Sequence, residues 1–183
     1  MATQSAIIWP LEFTPGETDN YVSNEVIAKG ITAVQIWALL DNIKKWESYY
    51  LNCGQITAPE SGPMLKKGDV FRFATFGFPP LTCSVKESVM PGPGTAGRLA
   101  WSADAGEGGA VYHAWLVEDL EGSRVRILTQ ESQIGSIFRE WAGAVPNKML
   151  LGHQDWLDGL VKAVRGQEVS ETNLKSVGFS PRS

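Results

Sequence analysis

The stretch from Pro146 to Gly166 constrains this chain most. Met149, Leu150, His153, Trp156, Leu157, Leu160, Val161 and Val164 recur at helical spacing and form one broad apolar stripe. Pro146 suits the first turn of that helix, and Gly166 lies where a C-terminal cap belongs. A long helix with a single apolar face needs a surface to cover, and the preceding chain offers strands. Tyr21–Ala28, Leu51–Thr57, Asp69–Phe76, Leu81–Val89, Arg98–Ala103, Ala110–Leu120 and Arg124–Ile134 are strand candidates separated by Gly- and Pro-rich turns. Successive strands with short connections pair antiparallel, and the closing helix covers one face of the sheet. The expected class is therefore α+β, with about seven strands curved around the C-terminal helix.

Two short helices follow the first strand. Thr32 is placed to cap the first, with Gln35 at the capping-box position and Ile31 and Ile36 spaced as a hydrophobic staple. The second runs from about Ile43 to Tyr49 and carries Trp46. Residues 1–20 read as an extended lead-in that lies against the domain, 21–165 as the domain, and 166–183 as a polar, flexible tail. Ser136–Ala144 reads as a short helix or a loop, with Phe138 and Trp141 placed to seal the interior.

Composition narrows the partners. The 183 residues carry a formal net charge of -4, with 43% hydrophobic and 20% charged residues. The lysine pairs at 44–45 and 66–67 make no basic patch, so nucleic acid is not an expected partner. No run approaches the ~20 apolar residues needed to span a bilayer. The N-terminus lacks the basic start and apolar run of a signal peptide, and a cytoplasmic location follows by elimination. Cys53 and Cys83 have no metal-ligand spacing and read as buried free thiols. Oligomeric state stays open.

Three residues stand out as candidates for chemistry. Glu131 shares strand parity with Val125, Ile127 and Thr129; facing inward it is a general acid or base, and at the rim it closes the cavity mouth. His113 shares parity with Trp115 and Val117, so it either joins Glu131 in a proton relay or points outward. Counting back from Gly122 does not set the two in direct opposition. Arg72 alternates with Phe71 and Phe73; it enters the interior and steadies an enolate, or it lies on the surface over an inward Phe pair. His153 on the apolar stripe reads as a satisfied core residue. No GxSxG, HExxH, P-loop or helix-opening GxGxxG is present.

The passage Val26–Asp41, with Ile36-Trp37 and Leu40-Asp41, resembles the START/Bet v 1-like (SRPBCC) superfamily, including its polyketide cyclase/dehydrase branch. Trp46, the hairpin Trp115–Gly135 and the helix segment His153–Leu160 are similar as well. The resemblance spans roughly residues 20–165; Gly30 stands where the family usually has Pro. It implies a helix-grip fold with an apolar cavity under the long helix. Trp37, Tyr49, Arg72, Cys83, Val85, Trp101, Trp115, Ile127, Thr129, His153 and Trp156 are the residues expected to line it. The ring-hydroxylating oxygenase members hold iron with two histidines and a carboxylate. His113 and His153 sit in no carboxylate-spaced motif, so neither metal nor other cofactor is expected. Three functions follow: a cofactor-independent cyclase or dehydratase acting on a small, apolar, aromatic or polyketide-like molecule; a hydrophobic-ligand or lipid carrier or sensor; and a co-chaperone-like interaction module.

Overall fold

A computed structural model describes residues 4–170 and 172–177. Seven strands form one sheet: β1 (Asn20–Lys29), β2 (Cys53–Thr57), β3 (Val70–Thr75), β4 (Leu81–Val89), β5 (Gly97–Gly106), β6 (Gly109–Leu120) and β7 (Arg124–Ile134). Their order is β1-β7-β6-β5-β4-β3-β2, and every neighbouring pair is antiparallel. Helices α1 (Ala33–Leu40) and α2 (Trp46–Tyr49) follow β1, and α3 (Ser136–Gly143) and α4 (Lys148–Val164) follow β7. The curved sheet wraps α4 in a helix-grip arrangement. No helix among the described residues is long and apolar enough to cross a membrane.

Local chemistry starts α1 where the sequence places it. Thr32 Oγ1 accepts from the Gln35 backbone N–H, and the Gln35 side chain accepts from the Thr32 N–H at 2.9 Å. The long helix differs at its start. Asn147 caps it, with Oδ1 accepting from the Met149 N–H at 2.9 Å, so Pro146 precedes the helix rather than opening it. A side-chain acceptor at Asn147 satisfies amides that Pro146 cannot. Gly166 ends the helix at φ 68°, a left-handed conformation that glycine adopts without strain.

Strand β4 departs from the simple alternation its sequence suggests. A bulge at Lys86–Glu87 shifts the β4–β5 register, so Ser88 opposes Leu99 and Val89 turns out to 39% exposure. Cys83 and Val85, ahead of the bulge, keep their inward positions.

Between sheet and α4, aromatic rings fill much of the interior. Trp46 meets Trp156, Phe73, Trp101 and Phe71 at centroid distances of 5.0 to 5.7 Å. Tyr50 stacks on Trp156 at 4.2 Å. Edge-to-face and offset contacts of this kind add to the large area each ring buries. Trp46 Nε1 donates to the Leu40 carbonyl at 2.8 Å, which fixes α2 under α1.

Trp9 and Phe13 of the N-terminal segment pack against Tyr112 on the outer face of the sheet. Residues 172–174 of the expected tail pack back on the long helix. The Asp155 carboxylate accepts from the Asn173 and Leu174 amides and the Thr172 hydroxyl, and Leu174 is buried. Residues 171 and 178–183 of the expected tail, like residues 1–3 of the lead-in, lie outside the described residues.

Candidate functional site

The β6–β7 hairpin positions the first two groups. Gly122 and Ser123 take positive φ, and the turn is closed by the pair Leu120–Arg124. That closure makes residues equally far from Gly122 face each other across the hairpin. His113 and Glu131 are such a pair and lie directly opposite, contrary to the offset expected from the sequence. Strand parity turns both inward, and the α4 stripe lowers His153 onto them from above. All three are buried.

One oxygen joins the cluster. Glu131 Oε2 lies 3.0 Å from His113 Nδ1 and 3.3 Å from His153 Nε2. The two imidazoles stack at 4.5 Å with 15° between planes. His113 Nε2 and Thr129 Oγ1 share a hydrogen bond of 2.7 Å. The other carboxylate oxygen, Oε1, accepts from Gln133 Nε2 at 2.5 Å; Gln133 Oε1 accepts from Asn20 Nδ2 at 2.5 Å. Asn147 Nδ2 then donates to Asn20 Oδ1 at 3.1 Å. A line of amides thus ties the N-cap of α4 to the carboxylate.

Burial disfavours the charged imidazole and pushes His113 down to about 4; neighbouring His153 adds to this, and Glu131 opposes it. Burial alone would raise Glu131, but its contacts with His113 and His153 outweigh that and hold it below the usual carboxylate range. The carboxylate is therefore ionised at neutral pH. His153 Nδ1 has no hydrogen-bond partner among the described residues. A buried polar atom left unpaired costs about 1–3 kcal/mol, which is recovered when a hydrogen-bonding group arrives.

A cavity of about 30 Å³ adjoins the cluster. His113, Glu131, Gln133 and His153 form its polar pole; Tyr50, Phe73, Cys83, Trp101 and Trp156 form its apolar flank. Phe76, Phe78, Phe138 and Met149 close the outer end, with Trp141 packed behind three of these rings. The volume admits two or three waters at most, at about 10–15 Å³ each. It is about a tenth of what a drug-sized ligand fills, so the roomy cavity expected under α4 is largely occupied by rings. A bulkier guest enters only by displacing the Phe76–Phe78–Phe138–Trp141 group.

The structure brings together part of the expected set. Cys83, Trp101, His113, Glu131, His153 and Trp156 face the cavity, and Thr129 supports His113. Arg72 does not: it is exposed, and its Nη2 donates to the Pro80 carbonyl at 3.3 Å. Phe71 and Phe73 take the inward parity because Trp46 and Trp101 offer them apolar contacts that a guanidinium lacks. Trp37 packs beside Gly97 and Pro91, away from the cavity. Tyr49 turns its hydroxyl to the Leu39 carbonyl at 3.1 Å. Val85, Trp115 and Ile127 are core residues off the cavity wall. His153 is a member of the cluster rather than a satisfied core residue. The rejection of a two-histidine, one-carboxylate set also rested on sequence spacing, whereas the fold assembles those side chains from β6, β7 and α4. Gln133, Asn20 and Asn147 were missed. Gln133 shares the parity of Glu131 and was readable, but the other two depend on β1–β7 pairing between distant segments.

No protein-family model and no curated protein matches the chain. Among solved structures, the hypothetical protein jhp0584 from Helicobacter pylori superposes with a TM-score of 0.83 and 46% identity, over 90% of this chain and 99% of that one. CalU16 from Micromonospora echinospora gives 0.56 at 12% identity, over 86% and 80% of the two chains. The di-domain ARO/CYC BexL from the BE-7585A biosynthetic pathway gives 0.59 at 12% identity, over 80% of this chain and 46% of that one. The last two establish likeness of fold alone, that of the helix-grip arrangement. The extent and identity of the first match show that this chain belongs to the same family as the Helicobacter pylori protein jhp0584.

Proposed function

We propose that the protein binds a small, largely apolar molecule with one polar head, and that the His113–Glu131–His153 cluster moves a proton at that head. The observation that carries this reading is one buried carboxylate oxygen contacted by two imidazoles at the wall of an otherwise apolar cavity. A carrier needs only carbon walls and one or two orienting groups. Three inward ionisable side chains suit acid–base chemistry instead. Proton removal next to a carbonyl opens the aldol-type cyclisations and dehydrations of the ARO/CYC class, to which BexL is assigned by name. The flanking Trp101 and Trp156 rings suit a flat guest, and exclusion of water strengthens the pull of the cluster on a developing charge. The partnerless His153 Nδ1 is the atom that a polar head of the guest meets.

Native mass spectrometry of the protein as purified is expected to reveal a low-mass guest. Glu131→Gln should hold that guest within about tenfold of wild type, or about 1.4 kcal/mol. It should lose exchange of the guest's acidic carbon-bound hydrogens for deuterium in D2O, followed by NMR. Equal exchange in the variant removes Glu131 from the chemistry.

A specific observation favours one other reading. The interior is nearly full, and Val34, Met64 and Met90 expose 46%, 47% and 62% of their surface around one shallow depression. An interaction module has this form. It gives no role to the buried cluster, and under it no guest accompanies the purified protein.

A further inference from the structure

We infer that His113, Glu131 and His153 form a binding site for one first-row divalent transition-metal ion, which rests on the reading of this cluster as the working pole of the cavity. Each side chain offers one donor atom, and no two of these atoms are more than 4.8 Å apart. Donors held about 2.0–2.2 Å from an ion lie about 3.0 Å apart along an octahedral edge and about 3.4 Å along a tetrahedral one. The two contacts to Glu131 Oε2, at 3.0 and 3.3 Å, have those lengths. Two imidazoles with one carboxylate select zinc, iron or their neighbours over magnesium and calcium, which prefer oxygen.

The surroundings are those of ligands held in place. Metal-bound histidines and carboxylates usually engage their second polar atom in an outer hydrogen bond. Here Thr129 holds the far nitrogen of His113, and Gln133, backed by Asn20 and Asn147, holds the far oxygen of Glu131. No lysine or arginine lines the cavity among the described residues, so the only chargeable partners of the buried carboxylate there are the two imidazoles. A cation balances it better than hydrogen bonds from neutral rings. The imidazole planes lie only 15° apart, so one ring turns about its side-chain bonds before both in-plane lone pairs meet at an ion, and the adjoining space of about 30 Å³ leaves room for a water at an open coordination position.

The test uses tag-free, chelator-treated full-length protein and Co²⁺. One equivalent per chain should bind, with a visible d–d band and paramagnetically shifted imidazole N–H proton signals. The chain contains two histidines, so those signals belong to His113 and His153. Zn²⁺ should displace the Co²⁺. Glu131→Gln and His153→Gln should each weaken Co²⁺ binding by at least about a hundredfold with an unchanged circular dichroism spectrum. Should a variant fail to fold, the wild-type imidazole signals decide alone. No stoichiometric uptake, uptake without shifted imidazole signals, or unchanged affinity in folded variants overturns the inference. A guest bound by chelator-treated protein that takes up no ion leaves the cavity reading standing. Ion uptake by a protein that holds no guest leaves the metal site standing without it.

Discussion

Gln133 shows how a neutral side chain controls a charged one. Its amide donates to Glu131 Oε1 and accepts from Asn20, so it fixes the carboxylate rotamer that presents Oε2 to both imidazoles. Gln133→Leu keeps approximate volume but strands two buried polar partners. Unfolding in urea should show a loss of about 2–3 kcal/mol. Co²⁺ affinity should fall by about 10–100-fold, as for outer partners of metal ligands generally. A variant that loses stability alone would limit Gln133 to packing. Arg72 shows the opposite case. Its alternation with Phe71 and Phe73 was legible, but parity does not say which face is inside, and the aromatic partners settled that in favour of the phenylalanines.

The elements owe their mutual spacing to small residues as much as to large ones. A Cβ on Gly159 of α4 would stand 2.0 Å from the Tyr49 carbonyl oxygen at the end of α2. Backbone cannot yield there as a flexible side chain can. Gly159→Ala should therefore push α4 away from α2, cost about 3 kcal/mol by overpacking, and unstack Tyr50 from Trp156. Thermal unfolding and near-ultraviolet circular dichroism measure both effects. Gly152 plays a similar part on the next turns, where an added Cβ would come within 2.2 Å of the Phe76 ring at the cavity's outer end. Glycines in a helix lower its intrinsic propensity; Gly159 sits where backbone admits no side chain, and Gly152 where a side chain would have to move the Phe76 ring. The helix was evident from its stripe, while the reason for its glycines lay in what crosses it.

On the scale of the whole molecule, one surface carboxylate joins the start of the sheet to the cavity's closing helix. Asp19 accepts from the Gly135 amide at 2.7 Å and from Arg139 Nη2 at 2.6 Å, just where β7 passes into α3. The Gly135 hydrogen bond first, and Arg139 next, hold its pKa below the ordinary 3.8. A carboxylate depressed in the folded state stabilises fully above its unfolded pKa and loses that contribution as pH falls through the folded value. Acidification below about pH 4 should thus loosen α3, with Phe138 and Trp141, before the sheet core. The hydrogen-exchange protection factor of the Gly135 amide should drop over that range in wild type. It should be low and nearly pH-independent in Asp19→Asn; equal profiles would exclude Asp19 as the tie.

The sequence by itself determined the elements and which residues share a face, because periodicity, capping and turn chemistry act over a few residues. Thr32, the β6–β7 hairpin and the α4 stripe were readable for that reason. The hairpin's short turn also sets the His113–Glu131 register, which the count back from Gly122 had misplaced. Tertiary structure alone decided that His153 completes the cluster, that Asn20 and Asn147 support it, and how little space remains. Each of these depends on where α4 crosses the sheet and how β1 pairs with β7. Those distances are set by the summed packing of Trp46, Trp101, Trp156 and their neighbours, and no local stretch of sequence encodes that sum.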